Sequence, residues 1–130
     1  MNGLLRFFHH SHAAMVLLRI TLAVLLLFHG WAKITKGVGG IEGMLTQAGL
    51  PGWLAYGAYI GEVLAPLLLL IGLWVVPAAL VVIVHMIFAL VLAHSGHWLN
   101  LSASGGWALE LQAFFLITAL VVAMGYSKGK

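Results

Sequence analysis

Four long runs of apolar residues divide the chain, and short polar segments separate them. The runs cover residues 13–34, 53–73, 77–93 and 106–125. Each is close to the ~20 residues that an α-helix needs to cross a hydrocarbon core about 30 Å thick. Because open sheet edges are not stable in lipid, all four runs predict helices. We therefore expect an all-α integral membrane four-helix bundle over residues 13–126, between an N-terminal interfacial lead (1–12) and a C-terminal tail (127–130).

The connections between the runs differ in length. The first contains the short amphipathic segment 41–45, which we expect to lie on the membrane surface. Only residues 74–76 separate the second and third runs, and Pro77 suits a first helical position, so these helices should form a tight antiparallel hairpin. Residues 94–105 form the other predicted loop. No small-residue cleavage site follows the first run, which indicates an uncleaved signal anchor.

Composition excludes a water-soluble domain. The chain is 63% hydrophobic and 7% charged, whereas a soluble domain needs roughly 25% charged residues. Its net charge of +3 comes from scattered bases, which favours lipid headgroups over nucleic acid as the partner. Cysteine is absent, so this chain alone supplies no thiol chemistry and no thiolate ligand for a metal.

The distribution of bases and tryptophans predicts the orientation in the membrane. With four spans both termini lie on one side, and that side carries more bases than the opposite loops. The positive-inside rule therefore predicts cytoplasmic termini. Four tryptophans fall at the opposite, loop-rich face, where an aromatic belt is expected: Trp31, Trp53, Trp98 and Trp107.

Ionisable residues occur in all four predicted helices, in the half of the bilayer next to the loop-rich face. They are His29, Glu62, His85 and Glu110, with Lys33 nearer that face. A charged side chain at the bilayer centre costs at least ~2.5–3.5 kcal/mol, so such residues usually face inward and pair. We expect one polar cavity, open toward the loop-rich face, to contain all of them. Arg19 lies nearer the opposite face, where it either pairs with Glu62 or extends toward the headgroups.

Glu62 has an unusual sequence environment. Pro66 cannot donate the backbone hydrogen bond that the carbonyl of residue 62 would accept, which predicts a kinked helix. Gly57 and Gly61 form a small-xxx-small pattern that lets another helix approach closely. Glu62 is therefore either a functional carboxylate in an enclosed polar setting or a structural one that joins helices through a base. The candidate partners are Arg19, Lys33 and His85.

The other ionisable residues also have structural interpretations. His29 and Lys33 either belong to the site or anchor the helix at the interface. His85 either belongs to the site or is a hydrogen-bonded core histidine, and Glu110 either lines the cavity or pairs with Lys33. The residues alone leave these alternatives open.

Three kinds of ligand fit imidazole and carboxylate groups in a lipid-accessible cavity. Such groups can hydrogen-bond the two carbonyls of a quinone and exchange protons with it. His29 and His85 could instead ligate a haem iron, or join Glu62 in a divalent metal site. No diagnostic spacing supports haem or a metal, so no metal ligands are assigned, and no nucleotide-phosphate loop or hydrolase motif is present.

Several short motifs occur in the order and with the spacing of a known family. They are the run 26–33 (Leu-Leu-Phe-His-Gly-Trp-Ala-Lys), Gly49-Leu50-Pro51, Gly61-Glu62-Val63-Leu64-Ala65-Pro66, and a late Gly105-Gly106-Trp107 followed by an acid. Over about residues 15–125 the sequence resembles the DoxX family. Family members commonly place this acid directly after the Gly-Gly-aromatic group, whereas here Glu110 comes three residues after Trp107.

The resemblance implies a four-helix protein of the bacterial inner membrane, in a family with members linked to quinone-reducing thiosulfate oxidation and to membrane redox complexes. We therefore expect a subunit of a membrane redox system that interacts with quinone, with a redox partner protein or a second copy of the chain as partner. The predicted catalytic residues are His29 and Glu62, and the predicted cavity residues are Arg19, Lys33, His85 and Glu110. The alternatives are a non-catalytic scaffold or assembly subunit and a small-solute carrier, and the sequence leaves open whether the chain is an enzyme.

Overall fold

The computed structural model describes residues 3, 5, 6, 10–93 and 110–127, with the side chains of 92 and 93 left out of that description. Five helices occupy the two long ranges, and no residue within them forms a strand. The helices are α1 (Ser11–Lys36), α2 (Gly39–Gln47), α3 (Gly52–Ile71), α4 (Val75–Ala93) and α5 (Glu110–Tyr126). The all-α prediction is confirmed.

Four of these helices pack in a closed ring. α1 contacts α3 and α5, and α4 contacts the same two helices. Their facing sides bury one apolar core, in which Leu22, Leu26, Leu69, Val82 and Val122 are almost inaccessible. The predicted four-helix bundle is therefore confirmed.

The outer surface of this ring is also apolar. Phe28, Ile71 and Phe114 are each more than two-thirds exposed. Exposed apolar side chains on every side of a bundle are unfavourable in water and favourable against lipid. α1 and α3 are long and apolar enough to cross a membrane, and the apolar stretches Val75–Val91 and Glu110–Tyr126 are shorter.

Within the described ranges the helix ends lie at most two residues from the predicted bounds. α1 extends two residues further at each end than the predicted run 13–34. α4 begins at Val75, so Pro77 is its third residue. Proline is tolerated at this position because the N–H groups of the first turn have no partner within the helix. The predicted loop 94–105 and residues 106–109 lie outside the described residues.

A short turn joins α3 to α4. Gly72 and Trp74 have positive φ angles of 81° and 51°. The N–H groups of Gly72 and Leu73 both donate to the carbonyl of Leu68. A left-handed residue in this position commonly ends a helix and reverses the chain. The tight hairpin predicted from the short connection is confirmed.

α2 lies where the short amphipathic segment is predicted. Its Leu45, together with Val38 just before the helix, packs against Ala55 near the start of α3. Ile41 and Tyr59 surround this small apolar cluster. The contact attaches α2 to the bundle beside the end of α1, so that it covers one end of the space between the helices.

α3 is not a uniform helix. It begins with a 3₁₀ turn at Gly52–Tyr56, passes through a π-turn at Ile60–Leu64 and ends as a regular α-helix at Ala65–Ile71. Pro66 has no N–H and lies two residues after the end of the π-turn, where the hydrogen-bonding pattern of the helix has to change. The kink predicted from this proline stays a prediction, but the helix is irregular just before it, and Glu62 lies within the π-turn.

Candidate functional site

A partly buried cluster of three ionisable side chains joins α1, α3 and α4. The Glu62 carboxylate is at its centre, with a side chain only 6% exposed. Lys33 donates from Nζ to Glu62 Oε1 at 3.0 Å, and His85 Nε2 lies 2.8 Å from Glu62 Oε2. Each carboxylate oxygen is therefore hydrogen-bonded to a different helix, as a buried charge requires.

Two glycines allow the helices to approach this closely. A Cβ added at Gly30 of α1 would overlap the backbone of Glu62 and lie 2.9 Å from its carbonyl carbon. A Cβ added at Gly61 would lie 2.5 Å from Cγ of His85. Both separations are shorter than real Cβ atoms tolerate, so a larger residue at either position would push α1 or α4 away from α3.

A further hydrogen bond fixes the end of α1 against α3. The Tyr59 hydroxyl donates to the backbone carbonyl of Lys33 at 3.1 Å. Tyr59 lies one turn before Glu62 on α3, so the residue that pairs with the carboxylate is also held through its backbone. The Lys33 ammonium is therefore positioned from two sides.

A cavity of about 670 Å³ lies beside this cluster. Among the described residues, the polar ones in its lining are His29, Lys33, Glu62, His85 and Gln112. The other described lining residues are apolar and come from all five helices, including Leu26, Leu45, Ile60, Val84 and Phe115. The cavity thus combines apolar walls with a small set of polar groups, which is the usual composition of a small-molecule site.

Two of the polar lining residues approach the cavity from outside the charged cluster. The His29 ring stands edge-on to Phe115, with ring centroids 5.6 Å apart and planes at 87°. The Gln112 amide oxygen is buried, and within residues 10–93 and 110–127 it has no hydrogen-bond partner. Buried amide oxygens are normally paired, and this unpaired one belongs to a residue that lines the cavity.

The structure brings four of the six predicted site residues to one place. His29, Lys33, Glu62 and His85 line the same cavity, and Lys33 and His85 each contact Glu62 directly. These contacts match the interpretation of Glu62 as a carboxylate that joins helices through Lys33 and His85. Whether any of these residues binds or reacts with a ligand stays a prediction.

The structure places the other two predicted residues elsewhere. Arg19 donates from Nη1 to the Tyr126 hydroxyl at 3.3 Å, lies 5.6 Å from the centre of that ring and packs against Gly72. Of the two expectations for Arg19, pairing with Glu62 is therefore wrong, and the arginine extends toward the other end of the bundle. Glu110 is exposed at the start of α5 and does not line the cavity, and Lys33 pairs with Glu62 instead.

The residues around Glu62 do not suit a divalent cation or an axially ligated haem. The Lys33 ammonium lies against the carboxylate that would have to bind the cation, and the two positive charges would repel each other. His85 Nε2 already faces Glu62, so this nitrogen is not directed at an iron. Within the described part of the chain no three His, Asp or Glu residues come together in a metal-binding group.

Sequence reasoning did not identify Gly30, Tyr59 or Gln112 as parts of the site. A signal existed for Gln112, because an uncharged amide inside an apolar run also needs a partner. Gly30 precedes Lys33 by three residues in one apolar run, and only the crossing of α1 and α3 shows why it must be small. The Tyr59 bond depends on the end of α1 lying beside α3, which no local pattern reveals.

Comparison with known proteins gives one family. The DoxX family model matches residues 14–95, which is more than half of the 130 residues and includes most of α1 and all of α2, α3 and α4. All three residues of the charged cluster lie within the match. No curated protein and no solved structure matches the chain.

Proposed function

The chain belongs to the DoxX family of membrane proteins, and we propose that it binds a quinone in the cavity beside Glu62, as a subunit of a membrane redox system. The observation that supports this is one apolar cavity of about 670 Å³ with the partly buried Lys33–Glu62–His85 cluster in its wall. Ligand sites commonly measure about 300–1,000 Å³, so the ring of a quinone and part of its tail would fit.

The polar groups of the cavity suit the two ends of a quinone ring. A quinone carbonyl accepts hydrogen bonds, and Lys33 has three N–H donors, of which one is engaged with Glu62. The Gln112 amide, on α5, offers a donor and an acceptor to the other end of the ring. The apolar walls would hold the ring between these groups.

Proton exchange with the bound ring is the role proposed for His29 and for the Glu62–His85 pair. Reduction of a quinone to a quinol takes two electrons and two protons. The chain has no cysteine and no metal-binding cluster among its described residues, so the electrons would come from a redox group on a partner protein. In this proposal the chain binds the ring and supplies protons, in the inner membrane with cytoplasmic termini.

Binding of a short-tailed quinone to the purified protein in lipid nanodiscs tests the proposal. We expect saturable binding to the wild type and at least about tenfold weaker binding to Glu62→Gln, which corresponds to about 1.4 kcal/mol. Glu42→Gln is the matched control, because Glu42 lies on α2 and does not line the cavity. Absence of saturable binding to the wild type, or equal affinity of the wild type and Glu62→Gln, would contradict the proposal.

A scaffold or assembly role is the second candidate, and the charged cluster itself supports it. Lys33, Glu62 and His85 lie on three different helices and hold them together. In that case Glu62→Gln would lower the melting temperature in detergent and prevent capture of a partner subunit. The wild type itself would bind no quinone. Loss of quinone affinity without a change in melting temperature would instead favour the binding role.

A further inference from the structure

We propose that the ligand of this cavity carries a hydrocarbon tail, which leaves the cavity sideways between α3 and α4 into the bilayer. The inference rests on the proposed function, since it specifies the shape of the ligand and its route into the same site. It is drawn from the residues on the two helices that border the cavity.

The α4 wall of the cavity is apolar on both sides of His85. Val81 lies one turn before His85 and Phe88 nearly one turn after it, and both line the cavity. At 1.5 Å per residue these positions span about 10 Å along the helix. A polar ring beside His85 would therefore lie next to apolar surface that the ring itself does not cover. A hydrocarbon chain attached to the ring would bury this surface.

Several of the lining side chains are also more than half exposed. Val84 and Phe88 of α4 are each 53% exposed, and Ile60 of α3 is 51% exposed. All three line the cavity. The walls on α3 and α4 thus continue into the apolar outer surface, which acyl chains contact in a membrane. An amphiphile already dissolved in the bilayer would reach the polar cluster along this surface.

Gly57 leaves the α3 side of this opening free. It lines the cavity, and a Cβ added there would meet nothing within 4 Å. Its backbone is helical, with φ −59° and ψ −23°, so any residue can adopt it. At Gly61, one turn later, the His85 side chain occupies the space that a Cβ would need. A larger side chain at position 57 would therefore enter the cavity and its opening without displacing a neighbour.

The test compares a tailless benzoquinone with the same ring carrying a decyl chain, each bound to protein in nanodiscs at known amounts per lipid. In the wild type the decyl form should bind at least about tenfold more tightly. Gly57→Leu should reduce this difference, because the leucine side chain fills the opening and weakens binding of the decyl form more than binding of the tailless ring. Gly43→Leu is the matched control, because Gly43 lies on α2, also has open space around it and does not line the cavity.

Val84→Trp provides a second variant, because it narrows the same opening from α4. If Gly57→Leu fails to fold, Val84→Trp should give the same selective loss of the decyl form. Equal effects on the two ligands, or no effect of a folded variant on either, would overturn the tail route and leave quinone binding intact. If the wild type binds neither ligand, the proposed function and this inference are overturned together.

Discussion

Gly30 of α1 packs directly against the backbone of Glu62 in α3. The contact is so close that a Cβ on Gly30 would overlap the Glu62 carbonyl group. Because the obstructing atoms belong to the backbone of a helix, they cannot rotate away as a flexible side chain would. This crossing fixes the distance between α1 and α3, and with it the ion pair between Lys33 and Glu62.

Gly30→Ala should therefore destabilise the bundle. Overpacked positions typically lose about 1–3 kcal/mol, and we expect a loss at the upper end of this range because α1 must move away from α3. Thermal unfolding in detergent measures the effect. Gly43→Ala is the control: it lies in α2 with open space around it and should be neutral or slightly stabilising. Equal melting temperatures for the two variants would contradict the close crossing.

Replacing Lys33 alone should lower the stability of the protein more than replacing Lys33 and Glu62 together. Lys33→Met leaves the buried Glu62 carboxylate with His85 as its remaining partner, and an unpaired buried group costs about 1–3 kcal/mol or more. Adding Glu62→Gln removes the charge as well, so the double variant should recover part of the loss. Thermal unfolding of the two single variants and the double variant gives the coupling energy.

The control for the Lys33 variant is Lys36→Met, three residues further along α1. Lys36 is exposed in the last turn and should contribute little. If the double variant is destabilised by the full sum of the two single variants, the residues are not coupled and the contact between them does not exist in the membrane.

The sequence predicts the helices well because hydrophobic length dominates in a membrane chain. The four apolar runs were sufficient to predict the bundle, and the proline at position 66 pointed to the part of α3 that is irregular beside Glu62. The pairing of ionisable residues was harder, because depth along a helix is readable from sequence and rotation about its axis is not. Arg19 illustrates this point: Tyr126, which it contacts, lies 107 residues away on α5.

Gln112→Leu should raise stability and reduce affinity for the reduced ligand. The Gln112 amide oxygen is buried without a partner among the described residues, so its removal abolishes an unfavourable desolvation. The oxygen can only accept a hydrogen bond, and a quinol hydroxyl donates one whereas a quinone carbonyl does not. We therefore expect quinol affinity to fall several-fold more than quinone affinity.

Thermal unfolding and binding of both redox forms in nanodiscs check this prediction. Gln47→Leu is the control, since Gln47 ends α2 on the exposed side and does not line the cavity. If the affinities for quinol and quinone fall equally, the amide oxygen does not distinguish the two ligands by accepting a hydrogen bond from the quinol hydroxyl. A lower melting temperature would show that the amide is paired in the folded protein.

The contact of Arg19 with Tyr126 has two parts that substitution can separate. The guanidinium donates to the Tyr126 hydroxyl and also lies over the ring, while its Nε has no partner within the described ranges. Tyr126→Phe removes the hydroxyl and keeps the ring, so we expect a loss of about 0.5–1.5 kcal/mol. Tyr126→Leu also removes the cation–π contact, which adds about 0.5–1 kcal/mol. In thermal unfolding the wild type should have the highest melting temperature, followed by Tyr126→Phe and then Tyr126→Leu. Equal stability of the two variants would show that the ring contributes nothing to holding Arg19 at the end of α5.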